Sequence, residues 1–404
     1  MAKGKSSLSE VVSNSLNKTF DLSAFKKSKF LDQSVKFKPQ RWIQLSKAFQ
    51  DVISLPGIPM GHITLLRGHS DTGKTTAMLE AAVAAQKMGV LPVFIVTEMK
   101  WNWEHAQQMG FEMEPIVDEA TGEIIDYKGF FLYVDRGSLN TIEDVAAFIA
   151  DLLNEQAQGK LPFNLLFLWD SVGSIPCRLS VESNKNNNEW NAGAMSQQFG
   201  NFINQKIVLS RKENQPYTNT FVAVNKVWVA KPNSPMEQPK LKNKGGDTMF
   251  FDSSFVITFG NVSNSGTSKI KATKDGKDVE FAKRTKISAD KNHVTGVQTK
   301  GTVTMTVHGF IPDDKKAIDD YKKEHSKEWL QILGSADFDV VEEDEMGAGG
   351  EAGAGASSSL PGCRWRIWFG RCRIVGHADG DSDGHTNGNL ERRRWRLIWG
   401  QPPV

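Results

Sequence analysis

Cysteine is nearly absent: the 404 residues include three, Cys177, Cys363 and Cys372. No two of them have metal-site spacing, and so few thiols exclude a disulfide scaffold and fit a reducing cytoplasm. Long apolar runs are missing as well. No stretch of about 18 apolar residues exists, so no segment is suited to spanning a membrane. The start, Met1-Ala2-Lys3-Gly4-Lys5-Ser6, leads into no apolar core of signal-peptide length, and a cytoplasmic location is expected. Net charge is small too, +2, so the total argues for no particular partner and local clusters must do so.

What is present suits a soluble globular protein, with 39% apolar and 24% charged residues. The organising stretch is Gly68, His69, Ser70, Asp71, Thr72, Gly73, Lys74 and Thr75, which fits the phosphate-cradling pattern G-x-x-x-x-G-K-[ST]. An apolar, β-branched run (His62-Ile63-Thr64-Leu65-Leu66-Arg67) precedes it, and a run of helix formers starting at Thr76 follows. Strand, glycine loop and helix are the setting this chemistry needs. The glycines let several N–H groups converge on one phosphate, and the helix start at Thr76 adds unpaired N–H groups and the positive end of its dipole. Lys74 would reach the β- and γ-phosphates and Thr75 would hold Mg²⁺.

Strand-like and helix-like segments then alternate. Residues 90–96, 129–134, 163–169, 220–225 and 255–259 read as buried strands, and residues 103–109 and 145–156 as helices, the latter opened by the capping pattern Thr141-Ile142-Glu143-Asp144. This alternation gives an α/β fold with a mostly parallel twisted sheet flanked by helices. Ligands of such folds bind at the carboxyl ends of the strands, where Gly68, Glu98 and Asp170 all fall. Asp170 has the position of a second Mg²⁺ holder, acting through water, and Glu98 that of a general base orienting water for in-line attack. Residues 269–311 read as edge hairpins.

Two polar stretches leave the same sheet edge. Residues 183–191, with Lys185 and Trp190, are Asn-rich and build no core. The second carries Lys226, Lys231, Lys240, Lys242 and Lys244 against the single Glu237, includes Trp228, and ends in Gly245-Gly246. Basic loops of this kind bind nucleic-acid phosphates without regard to sequence, and the tryptophans can stack on bases.

The ends differ from the middle. Residues 1–50 are polar and Lys-rich with scattered apolar positions, a small cap or an arm that docks on a neighbouring subunit. Residues 51–330 carry the core. Residues 331–360 are acidic and Gly/Ala-rich, a disordered tail. Residues 361–404 hold eight Arg, four Trp and no Lys. That is the composition of a Gly-rich coding run read in a shifted frame, so this stretch is expected to be non-native; a true Arg/Trp tail for nucleic acid or membrane is the alternative.

The order of these motifs over roughly residues 30–330 resembles the RecA-type recombinases, most closely bacteriophage members of the UvsX kind. Ile95-Val96-Thr97-Glu98 matches the place of the family's catalytic glutamate. His105 stands where an aromatic residue stacks on adenine, Asp170-Ser171-Val172 matches the end of the Walker B strand, and Met195-Ser196-Gln197 the helix after the first DNA loop, which maps to about residues 182–194. Asn225-Lys226 matches the polar sensor between the γ-phosphate and the second DNA loop, leaving open which of the two senses nucleotide. Lys291 and His293 occupy the place of two basic residues that reach the neighbouring subunit's γ-phosphate. The resemblance implies an ATP- and Mg²⁺-dependent, DNA-dependent ATPase that forms helical homo-oligomers on single-stranded DNA and pairs it with double-stranded DNA. Single-strand-binding and mediator proteins are implied partners; a phage-encoded protein would work in the host cytoplasm or nucleoid. A closed-ring helicase with the same core, or a P-loop protein that only assembles, are the other readings, and Glu98 with Asp170 argue against the last.

Overall fold

Small side chains let one helix lie close to the sheet, and that close approach orders the core. The computed structural model describes residues 21–28, 36–98, 101–118, 121–185, 187–229, 241–262, 268–274 and 276–328. Lys231, Lys240, the acidic stretch, the Arg/Trp-rich stretch and most of the expected N-terminal arm lie outside them. Helix α1 (Leu22–Ser28) comes first. An antiparallel pair, β1 (Trp42–Gln44) and β2 (Gly57–Pro59), flanks α2 (Lys47–Ile53). Ile43 and Phe49 are fully buried, so residues 42–53 are built into the core.

The parallel part of the main sheet comprises β3 (Ile63–Gly68), β4 (Leu91–Val96), β7 (Leu132–Asp135), β8 (Leu165–Asp170), β9 (Thr220–Val229) and β11 (Phe255–Asn261), in the order β11-β3-β9-β8-β4-β7. Between β4 and β7 the chain forms a separate hairpin, β5 (Glu114–Val117) with β6 (Ile124–Lys128), which the sequence did not announce. On the β11 edge the sheet turns antiparallel through β13 (Lys277–Asn292), β14 (Lys300–Thr306) and β15 (Gly309–Pro312), with β12 (Lys269–Lys274) on β13. These are the hairpins expected over 269–311.

Residue parity sorts the side chains into two cores, because successive residues of a strand face opposite sides. On one face Leu66, Phe94, Val96, Leu168, Val222 and Val224 pack against α3 (Lys74–Lys87), whose Ala77, Ala81, Ala82 and Ala85 are fully buried. On the other, Leu65, Ile95, Trp169, Phe221 and Ala223 pack against α5 (Ile142–Ala157) and Phe199. Trp169 stacks on Phe199 with centroids 5.0 Å apart. Helix α4 (Trp103–Gln108) lies between α3 and α5 in the chain and starts at Asn102, which caps it by accepting from the Glu104 amide. Helix α5 starts at the expected box: the Asp144 amide donates to Thr141 Oγ1 and the Thr141 amide to Asp144 Oδ2, worth about 1 kcal/mol.

The Asn-rich stretch departs from the expected irregular loop. It follows α6 (Arg178–Glu182), leads into α7 (Asn188–Met195), which Asn187 caps, and the chain then runs through a π-helical turn (Ser196–Ile203) into α8 (Asn204–Leu209). Short Asn side chains cap helices as readily as they make loops, which is why polarity alone misled here. Met195, Phe199 and Ile203 are buried, whereas Phe202 is exposed. Two shorter elements complete the fold: β10 (Leu241–Asn243), paired with the end of β9, and helix α9 (Thr248–Asp252). Helix α10 (Lys315–Glu324), capped by Asp314, covers the antiparallel edge.

Candidate nucleotide and DNA site

The phosphate loop leaves β3 at Gly68, and its close neighbours explain its glycines. A Cβ at Gly68 would lie 2.2 Å from the Phe259 carbonyl oxygen. Gly73 has φ 95°, a conformation open to glycine, and caps α3. The loop is braced from within: Thr72 Oγ1 donates to the His69 carbonyl, and so does the Lys74 ammonium. Ser70 and Asp71 are exposed, while Thr76 is buried at the head of α3.

The Thr75 hydroxyl donates to Asp170 Oδ2 at 2.7 Å. The other carboxylate oxygen, Oδ1, is buried and has no hydrogen-bond partner among the described residues. A hydroxyl and a carboxylate with an unused oxygen are the donors a hard, oxygen-loving cation takes, so the residues present fit Mg²⁺. Burial raises the Asp170 pKa to about 6, opposed by the Thr75 hydrogen bond. Burial also lowers Lys74 to about 8, with Asp170 pulling the other way. The Asp170–Ser171 peptide is cis.

Glu98 follows β4, and its amide donates to the Asp170 carbonyl at 3.1 Å, which ties the two strand ends together. Its carboxylate forms an ion pair with Lys226. Parity separates Asn225 from Lys226. Lys226 belongs to the face of Val222 and Val224, the α3 side, together with Glu98 and Asp170. Asn225, expected to act in catalysis, lies on the opposite face with Ala223, beside Arg67 in the register. It is 1% exposed, and neither its amide nitrogen nor its oxygen has a hydrogen-bond partner among the described residues. The strand's period of two therefore puts Lys226 on the α3 side with Glu98 and Asn225 on the opposite side.

His105 on α4 is half-buried with its ring near the Val307 backbone, and burial holds its pKa below the ordinary value. Gly73 abuts Met305 and Phe310, so the loop and His105 meet the same β14–β15 hairpin. Lys291 and His293 lie elsewhere. Lys291 pairs with Val256 and through it with Leu65, three residues before Gly68, about 10 Å away along the strand. Its ammonium donates to the Phe250 and Phe251 carbonyls at 3.0 and 2.7 Å. His293 is exposed. Neither residue is brought to this chain's own phosphate loop.

Strand β9 continues beyond the sheet and pairs with β10, Trp228 opposite Lys242. The Lys244 amide donates to the Lys226 carbonyl at 2.9 Å. The turn after β10 presses on the segment after β8 and on α7: a Cβ on Gly173 would lie 2.7 Å from Lys244 Cβ, and one on Gly246 2.9 Å from Ala192 Cβ. A cleft of about 530 Å³ lies at this junction, lined in part by Arg136, Lys185, Lys244 and Gly245 and, among the described residues, by no acidic side chain. Arg136, at the end of β7, was missed in the sequence because a lone Arg after a strand carries no pattern. Lys185, Lys242 and Lys244 are exposed. Trp190 is different. It is half-buried against the helix–sheet core, whereas Trp228 is 44% exposed and free to stack.

The fold and site together are those of an α/β protein whose mostly parallel sheet is flanked by helices and carries a G-x-x-x-x-G-K-[ST] loop at the end of a central strand. No protein-family model matches the chain. Part of it is similar to bacterial proteins named Protein RecA: 27% identical over 145 residues to that of Paenarthrobacter aurescens (strain TC1), covering 33% of this chain and 40% of the relative. A second Paenarthrobacter aurescens sequence is 27% identical over 138 residues, 32% of this chain and 61% of the relative. That of Streptomyces ambofaciens is 30% identical over 112 residues, 26% and 29% of the two chains. The chain thus spans less than two thirds of the length of each. The similarities support a RecA-type relationship for about a third of the chain.

Proposed function

We propose that the protein is an ATP-driven DNA recombinase that assembles into helical filaments on single-stranded DNA and promotes homologous pairing and strand exchange with a duplex. The observation that carries this reading is the position of Lys226. Its side chain holds Glu98 beside the phosphate loop, and its carbonyl holds Lys244 at the root of the β9–β10 ribbon. Lys74 and the loop amides bind the phosphates, Thr75 and Asp170 hold Mg²⁺, His105 lies against the base, and Glu98 orients the attacking water. Bound Mg²⁺ neutralises charge that develops on the phosphoryl oxygens. For Glu98 to take up that task, its bond to Lys226 has to open, and movement of the ribbon on DNA binding supplies the opening.

Arg136, Lys185, Lys242 and Lys244 bind DNA phosphates, joined by Lys231 and Lys240 from the sequence between β9 and β10, and Trp228 stacks on a base. Lys291 and His293 act on the nucleotide of the adjoining subunit, so ATP lies between protomers and hydrolysis is linked to assembly. The motif order resembles that of the phage recombinases. Electron microscopy with a non-hydrolysable ATP analogue, with and without single-stranded DNA, tests this reading. Open helical filaments on DNA are expected, and their loss in Lys74→Ala; closed hexameric rings would overturn the recombinase in favour of a helicase.

A further inference from the structure

Away from the nucleotide site, His308, His325 and Glu328 place three potential ligand atoms within 4.8 Å of one another. We propose that they form a zinc-type site, with two imidazoles and one carboxylate holding a divalent transition ion and an exchangeable water in the fourth position. Glu328 Oε1 is 3.5 Å from His308 Nε2 and 3.0 Å from His325 Nδ1. Ligands of a tetrahedral ion bound at about 2.0–2.1 Å lie roughly 3.3 Å apart, so both separations already approximate edges of the coordination polyhedron. The two imidazoles are stacked with centroids 4.0 Å apart, and a modest fanning of the rings closes the third edge.

The support behind the ligands carries still more weight. His308 Nδ1 sits 2.8 Å from the Tyr321 hydroxyl. A metal-bound histidine nearly always gives its other ring N–H to such a partner, which fixes the tautomer and aims the free lone pair. An N–H donated from Nδ1 to Tyr321 leaves the lone pair on Nε2, the nitrogen that faces Glu328. Tyr321 is itself 6% exposed and stacks on Phe281, so the support is rigid. The three ligands are half-buried, which leaves a path from solvent.

The site joins two elements. His308 belongs to the turn between β14 and β15, while His325 and Glu328 follow α10. A bound ion would fasten the end of α10 to the turn whose Val307 backbone meets His105. This consequence for nucleotide binding rests on the role given to His105 above; metal binding itself does not.

Cobalt(II) is the probe, titrated into the full-length apo protein in excess Mg²⁺ so that the phosphate-loop site stays filled with the harder ion. The expected result is the intense visible absorption of tetrahedral Co²⁺ saturating at about one ion per chain, bleached by Zn²⁺. His325→Ala and Glu328→Gln, each shown to be folded by circular dichroism, should weaken binding about tenfold or more. Absence of the tetrahedral spectrum overturns the site and leaves a hydrogen-bonded clasp. An unchanged titration in both variants moves the ion elsewhere, for instance to Cys363 and Cys372, and overturns it equally. Either result is independent of whether the protein hydrolyses ATP.

Discussion

Lys226 and Glu98 form an ion pair between the ends of two strands that are separated in the sheet by β8. The lysine side chain is 35% exposed and the glutamate 24%, so solvent screens the pair and its strength lies near about 1 kcal/mol. For the water-orienting role proposed for Glu98, the pair is a restraint, since a carboxylate oxygen engaged by the ammonium is turned away from a water.

Lys226→Gln is therefore expected to raise ATP turnover in the absence of DNA. Release of about 1 kcal/mol corresponds to about fivefold in rate, and the stimulation by DNA should shrink by the same factor. Phosphate release with and without single-stranded DNA measures both quantities. An unchanged ratio would show that the pair does not restrain Glu98.

Asp170 sets a second expectation, in stability. Its pKa of about 6 exceeds the ordinary 3.8, so the folded apo protein holds a proton that the unfolded chain has released. Stability contributed by that proton is lost as pH rises through about 4 to 6, and the ionised carboxylate remains as a burden of up to about 3 kcal/mol above that window. Asp170→Asn should accordingly be more stable than the parent at about pH 8 without Mg²⁺, with the gain gone near pH 4. Urea midpoints at the two pH values decide; a gain that does not change with pH would assign it to packing. The same variant should lose Mg²⁺-dependent turnover.

The basic stretch makes a third. Replacing Lys240, Lys242 and Lys244 by Ala should flatten the dependence of single-strand affinity on salt, by roughly one logarithmic unit of slope for each phosphate no longer neutralised. Fluorescence anisotropy with a labelled oligonucleotide across a salt series gives the slope. If the slope stays the same, these lysines are off the DNA path.

His62 offers a test of the fold alone. It is 6% exposed, its Nε2 lies 3.0 Å from Gln40 Oε1, and burial with Arg211 nearby lowers its pKa to about 4. Below the ordinary 6.5 the unfolded chain takes up a proton that the folded protein refuses. Stability is full above about pH 6.5 and falls by up to about 3 kcal/mol as pH drops to about 4. His62→Gln should remove that part of the acid sensitivity, seen as a smaller loss of urea midpoint between about pH 7 and pH 4.5. Equal losses in parent and variant would show that His62 is protonated freely in the fold.

The parallel sheet was legible because its strands are continuous apolar runs bounded by glycine and by chemistry-bearing residues. The phosphate loop was legible because its spacing is tied to a physical task. Thr75 and Asp170, 95 residues apart in the chain, could be paired in advance because both were expected to hold Mg²⁺, and a hydrogen bond joins them. What the letters hid was direction. Asn225 and Lys226 are adjacent, and only the packing of Val224 against α3 reveals which of them faces the loop. Arg136 was invisible for a related reason: its charge gains meaning from the cleft, which is assembled from segments distant in sequence. The helices at 178–182 and 188–195 were hidden by asparagine, whose side chain serves caps and loops alike. The packing that restrains Trp190 is tertiary, and nothing in its neighbours along the chain announces it.

Strand β9 starts deep in the sheet and ends outside it, with Asn225 and Lys226 at the point where it emerges. Alternation assigns every residue there to one side or the other, and no side chain can be moved across without moving its successors. A single-residue deletion within 220–224 would thus shift Lys226 to the Asn225 position, carry an ammonium into the apolar layer around Trp169, and withdraw it from Glu98. The length of that strand, counted in residues, is as much a part of the site as the identity of any residue on it.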